Sequence, residues 1–119
     1  MEKILVVDDE DSLRKSMVLT LRSKGYLTFE AQDGAIGLDM ASQHTPDLII
    51  SDVNMDNMNG FMMVEALRED AATASIPVIM MTNAAQAAGA WKSDLAVEYL
   101  DKPFSMPKLV ETVERVLRK

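Results

Sequence analysis

Five side chains spread along 119 residues are of types that act together on an anion: the carboxylates of Asp8, Asp9 and Asp52, the hydroxyl of Thr82 and the ammonium of Lys102. Each stands at the end of a short apolar run. Lys3-Ile-Leu-Val-Val7 stops at Asp8-Asp9, Leu48-Ile-Ile50 leads through Ser51 to Asp52, Ile76 to Met81 is followed by Thr82, and Ala96 to Leu100 gives way to Asp101-Lys102-Pro103. Three crowded carboxylates repel one another and resist full ionisation. A hard divalent cation with oxygen ligands (magnesium, manganese or calcium) removes that conflict. A lysine and a hydroxyl aimed at the same point both engage anionic oxygens, as a phosphoryl cradle requires. Asp52 is then a candidate nucleophile toward phosphorus, yielding an aspartyl phosphate. Transfer of this kind depends mainly on positioning and electrostatics.

These residues meet only if the apolar runs lie side by side and point the same way. Short runs rich in branched residues and flanked by turn formers suit strands buried on both faces. Between them the pattern is helical. Leu13, Met17, Val18 and Leu21 recur at helical spacing, with Ser12 as the expected cap and Gly25 as the stop. Tyr26 to Ala31 reads as a more polar strand near an edge. Helices are expected over Ala35 to Gln43, from Gly60 onward, over Ala84 to Ser93, where alanine is frequent but Gly89 interrupts, and over Ser105 to Leu117. Five alternations of strand and helix call for a parallel sheet covered on both faces, with right-handed crossovers. All strand ends then share one edge, where open α/β sheets bind their ligands.

Composition narrows the chemistry further. The chain is long enough for one domain, and its 48% hydrophobic and 26% charged residues are ordinary for a globular protein. With no cysteine and a single histidine, His44, thiolate nucleophiles, cysteine zinc sites and histidine triads are excluded. A net charge of −7 argues against direct nucleic-acid binding. Strand-like sequence begins at Lys3, and no stretch reaches membrane-spanning length, so a cytoplasmic location is expected.

Taken together, Leu5-Val-Val-Asp-Asp9, Asp52-Val-Asn-Met55 with Met58-Asn-Gly60, Thr82, Tyr99 and Lys102-Pro-Phe104 resemble the receiver domain of bacterial two-component response regulators, along the whole chain. The resemblance implies a flavodoxin-like, doubly wound (βα)5 fold with strand order 2-1-3-4-5, as one domain over residues 1–119 without an output domain. It implies Asp52 as phosphoacceptor, and Asp8, Asp9, Asp52 and the Asn54 backbone carbonyl around Mg2+ (Mn2+ as the substitute). Asp9 would be the more direct ligand and Asp8 would act partly through water. Lys102 and Thr82 would bind the phosphoryl group, Tyr99 would turn inward with Thr82, and the Lys102–Pro103 bond would be cis. A sensor histidine kinase or histidine phosphotransfer protein would be the donor. A downstream protein would bind the face of the fourth helix, fifth strand and fifth helix.

The chain departs from the family pattern at Asp56, where proline usually stands, at Asn83, where a small residue follows the threonine, and at Leu95, where glycine is common. Asp56 is expected to loosen the acceptor loop and Asn83 to narrow access to the site. Trp91 is a candidate partner contact, the methionines are expected to be core and boundary filler, and His44 a surface residue suited to the helix dipole. Each site residue taken singly has a plainer reading: Asp-Asp before a helix is commonly a cap, and a lysine before proline is commonly surface. Their placement at the ends of separate strands is what sets the plain readings aside. Rival functions fit less well. A haloacid-dehalogenase-type phosphatase needs Asp-x-Asp after its first strand, and an FMN carrier needs a Ser/Thr-rich loop where this chain has Asp8-Asp9-Glu10-Asp11. A module that has abandoned phosphate would not need the five residues intact.

Overall fold

A computed structural model describes residues 2–55, 57–82 and 97–118. The described elements run β1 (Lys3–Val7), α1 (Asp11–Ser23), β2 (Leu27–Ala31), α2 (Gly34–His44), β3 (Leu48–Asp52), α3 (Gly60–Arg68), β4 (Val78–Thr82), β5 (Glu98–Asp101) and α4 (Met106–Leu117). All strand pairings are parallel and the sheet order is β2-β1-β3-β4-β5, as expected. The helix expected over 84–93 lies outside the described residues, as do Asp56, Asn83, Trp91 and Leu95.

The near-continuous apolar runs of β1, β3 and β4 follow from burial on both faces. One side of the sheet packs Ile4, Val6, Ile50 and Met81 against Met17, Val18 and Leu21 of α1 and Leu109 and Val113 of α4. The other packs Leu5, Val7, Ile49 and Met80 against Ala41 of α2 and Met63, Val64 and Leu67 of α3. Helix α2 sits close because Gly37 leaves room: a Cβ there would lie 2.9 Å from Met63 Sδ and 3.0 Å from a Val7 methyl. Strand β2 occupies one edge, in keeping with its more polar sequence.

Local details differ from expectation at several boundaries. Ser12 does not cap α1. The helix starts two residues earlier than that cap implies, with Glu10 as the extended N-cap residue and Asp11 in the first turn, because the Arg14 amide already closes on the Glu10 carbonyl at 3.0 Å. Tyr26 belongs to the helix exit rather than β2, since its amide donates to the Leu21 carbonyl at 3.2 Å. The turn is completed by Gly25 at φ +96°, a conformation that glycine adopts without steric cost. The last helix and α3 are capped by Ser105, whose hydroxyl accepts from Lys108 N, and Asn59, whose side chain accepts from Met62 N. His44 is half-buried, its ring stacked on Phe29 with centroids 4.1 Å apart, because the edge strand lies beside the end of α2. Among the methionines, Met63, Met80 and Met81 are core, while Met62 is 49% exposed.

Candidate functional site

The pairing of Val7 with Ser51 in β1 and β3 brings the next residues, Asp8 and Asp52, side by side at the carboxyl edge of the sheet. Asp8 is fully buried, Asp52 nearly so, and Asp9 is exposed at the rim. One carboxylate oxygen from each of the three lies within 4.8 Å of the others. Lys102, arriving from the end of β5, spans the pair: its Nζ is 3.3 Å from Asp8 Oδ2 and 3.4 Å from Asp52 Oδ2. The Lys102–Pro103 peptide that aims it is cis.

Asp8 has its second oxygen occupied as well, since Oδ1 accepts from the Glu10 amide at 2.9 Å. Burial raises the proton affinity of Asp52, and the neighbouring Asp8 charge adds to this while Lys102 opposes it. Burial also disfavours the Lys102 ammonium, but the two carboxylates outweigh it and its pKa is raised. The crevice therefore holds two buried carboxylates against one ammonium, with a third carboxylate at its mouth. That surplus of negative oxygen is what a hard divalent cation satisfies, so the donor set fits magnesium, with Asp9 as its solvent-side member.

The loop after β3 is held by its surroundings. Asn59 caps α3, Gly60 N donates to Val53 O at 2.9 Å, and Asn57, at φ 69°, donates from its side chain to Asp33 Oδ2 at 3.0 Å. Asp33 in turn caps α2 by accepting from Ile36 N. Both bonds lower the Asp33 pKa, the backbone one most. The loop carries Asn54, exposed at its start. Thr82, on β4, is buried, and its hydroxyl donates to Asp101 Oδ1 at 3.3 Å. Tyr99, half-buried on β5, packs against the α2–α3 side of the core.

A scan of family models matches residues 4–114 to the response regulator receiver domain. The chain belongs to the receiver domain family. It is therefore a phosphoacceptor signalling switch of the two-component type, a regulatory domain of a kind that exchanges phosphoryl groups with histidine kinases or phosphotransfer proteins. Protein PilH of Pseudomonas aeruginosa is 34% identical over 119 residues, covering 98% of both chains. Chemotaxis response regulator CheY4 of Vibrio cholerae superposes with a TM-score of 0.90 at 36% identity, again over 98% of both. The receiver domain of the sensor histidine kinase PA1611 of Pseudomonas aeruginosa superposes with a TM-score of 0.88 at 25% identity over 99% of this chain and 98% of that one; it carries a magnesium ion coordinated in its active-site cleft.

Three residues that do not stand out at the strand ends hold the receiver site together. Arg14 is buried on α1. It donates to the Asp8 carbonyl at 2.7 Å, to Asp11 at 2.7 Å and to Glu30 at 3.0 Å, fixing the turn that presents the acidic pair. Asp33 braces the acceptor loop through Asn57, and Asp101 holds Thr82. The acid-rich turn after β1 hints at a basic partner, the role that Arg14 fills. Nothing in the spacing of Asp33 or Asp101 indicates theirs.

Proposed function

We propose that Asp52 is the phosphoacceptor and that Asp8, Asp9, Asp52 and the Asn54 carbonyl hold the Mg2+ that its phosphorylation requires. The observation that carries this reading is Lys102 Nζ within 3.4 Å of both Asp8 and Asp52, with Asp9 completing the carboxylate cluster. An Asp52 oxygen attacks phosphorus, the bond from phosphorus to the donor's imidazole nitrogen breaks, and its electron pair leaves with that nitrogen. Lys102 pairs with the transferred oxygens, and burial keeps competing water few. The cation, when bound, offsets charge on the phosphoryl oxygens. A groove lined by Glu10, Leu13, Lys102, Pro103 and Phe104 opens beside the crevice and suits the apolar side of a donor helix.

The product then recruits Thr82 to a phosphoryl oxygen, and Tyr99 follows. Moving a two-state equilibrium from mostly off to mostly on takes about 5 kcal/mol. Two charge-assisted hydrogen bonds, from Lys102 and Thr82, at roughly 1.5–3 kcal/mol each, are of that order. The downstream protein reads the face that includes β5 and α4. The chain acts in the cytoplasm, and its own chemistry is limited to taking and releasing the phosphoryl group. No described helix is long and apolar enough to cross a membrane.

Incubation with acetyl phosphate and magnesium should give a base-labile, acid-stable phosphoryl adduct by mass spectrometry. Asp52→Asn, or chelation of magnesium, should abolish it. An adduct that persists in Asp52→Asn overturns the assignment.

A further inference from the structure

Thr82 and Asp101 are register partners on β4 and β5, so their side chains leave the sheet on the same face. The Thr82 hydroxyl donates to Asp101 Oδ1 at 3.3 Å, with Thr82 buried and Asp101 exposed. A threonine hydroxyl has one proton to donate. While it is given to Asp101 it is not available to a phosphoryl oxygen, so the two bonds exclude each other. Tyr99, two residues before Asp101 on the same strand, shares that face.

We propose that Asp101 is a positioning residue that latches the Thr82 hydroxyl away from the phosphoryl site, so that closing the switch requires the phosphoryl group to displace a carboxylate. This rests on Asp52 being the acceptor. The latch is weak by construction, because its bond is long and its acceptor faces water. It therefore sets the threshold of the switch by a small factor and does not block it.

The test is the affinity of the full chain for beryllofluoride, a phosphoryl mimic, measured by calorimetry in saturating magnesium. Asp101→Ala should bind about three- to fivefold more tightly than the unaltered chain, the factor expected for loss of one weak competing hydrogen bond. Asp101→Asn, which keeps an oxygen acceptor, should fall between the two. In a Thr82→Val chain, Asp101→Ala should change nothing. Equal tightening with and without the Thr82 hydroxyl would show that Asp101 acts only through its charge and would overturn the latch. So would no tightening at all. Binding that survives Asp52→Asn would overturn the acceptor reading itself, and the latch with it.

Discussion

Gly60 opens α3 directly against the end of the acceptor strand, and replacing it tests the site's geometry. A Cβ built on Gly60 would lie 2.4 Å from the Asp52 carbonyl oxygen, 3.1 Å from Met80 Sδ and 3.2 Å from Ser51 Oγ. Ordinary contact for such atoms begins near 3.4 Å. The methionine can turn aside, but the Asp52 carbonyl is backbone at the end of the central strand β3. Either the start of α3 or the end of β3 must therefore shift by about 1 Å. Overpacking of this kind costs roughly 1–3 kcal/mol, and the shift also strains the Gly60 N to Val53 O bond, worth about 1 kcal/mol. The better helix propensity of alanine returns about 1 kcal/mol. Gly60→Ala should thus lose about 1–3 kcal/mol, read as a lower urea midpoint with an unchanged slope. Because Asp52 sits at the displaced point, its phosphorylation by acetyl phosphate should slow by up to about a hundredfold even in the folded variant. Gly25→Ala is the control. A Cβ there meets nothing within 4 Å, and only its positive φ is strained. It should cost about 1 kcal/mol and leave phosphorylation unchanged. A Gly60→Ala chain as stable and as reactive as the original would refute the close-approach argument.

Two further perturbations address the electrostatics. The folded state binds the Asp52 proton more tightly than the unfolded chain, so Asp52 ionisation takes away stability as pH rises above the unfolded carboxylate value of about 3.9. Asp52→Asn should accordingly raise the urea midpoint at pH 7 without metal, whereas magnesium at a hundredfold excess over its dissociation constant should stabilise only the original chain strongly, by about 2.7 kcal/mol; a midpoint indifferent to magnesium would refute the metal assignment. Arg14→Ala strips a buried partner from the Asp8 carbonyl and from Glu30, and should cost about 2–4 kcal/mol together with weaker magnesium binding. Arg14→Lys should recover little of either, since one ammonium cannot reproduce a three-way guanidinium fork; full recovery by lysine, in urea and magnesium titrations, would refute the fork.

The architecture is legible because burial on two faces writes a strand as an apolar run, and four such runs end in groups of matching chemistry. Asp8, Asp52 and Lys102 could be placed together because a parallel sheet forces its strand ends to one edge. What stayed hidden was tertiary. Arg14 sits among the apolar positions of an amphipathic helix, and no periodicity tells a buried arginine with three acceptors from a surface one. The Asp33–Asn57 brace joins residues 24 apart across two loops. Asp101 reads as a strand terminator because its partner, Thr82, depends on register, which the sequence does not state. The position of His44 at a helix end suits a surface residue, and its stacking on Phe29 of the edge strand follows only from the packing of α2 beside β2. The position of the α1 cap reflects the same limit: the polar residues from Asp8 to Ser12 each make a plausible helix start, and Arg14 decides among them.

The hydrogen bond from Lys102 to Asp8 closes a span of 94 residues. Bringing two such distant points together has an entropic cost that grows only slowly with loop length, yet it is recovered only when the intervening strands are already paired. The crevice is therefore a property of the finished chain and not of any segment of it. During refolding, β1 to β3 can gather the acidic pair beside Asp52 while the ammonium is still absent, a stage in which like charges repel unopposed. Docking of β5 ends that stage. Recovery of phosphoryl-accepting capacity after dilution from urea should then lag behind recovery of helical structure and report the last strand to join.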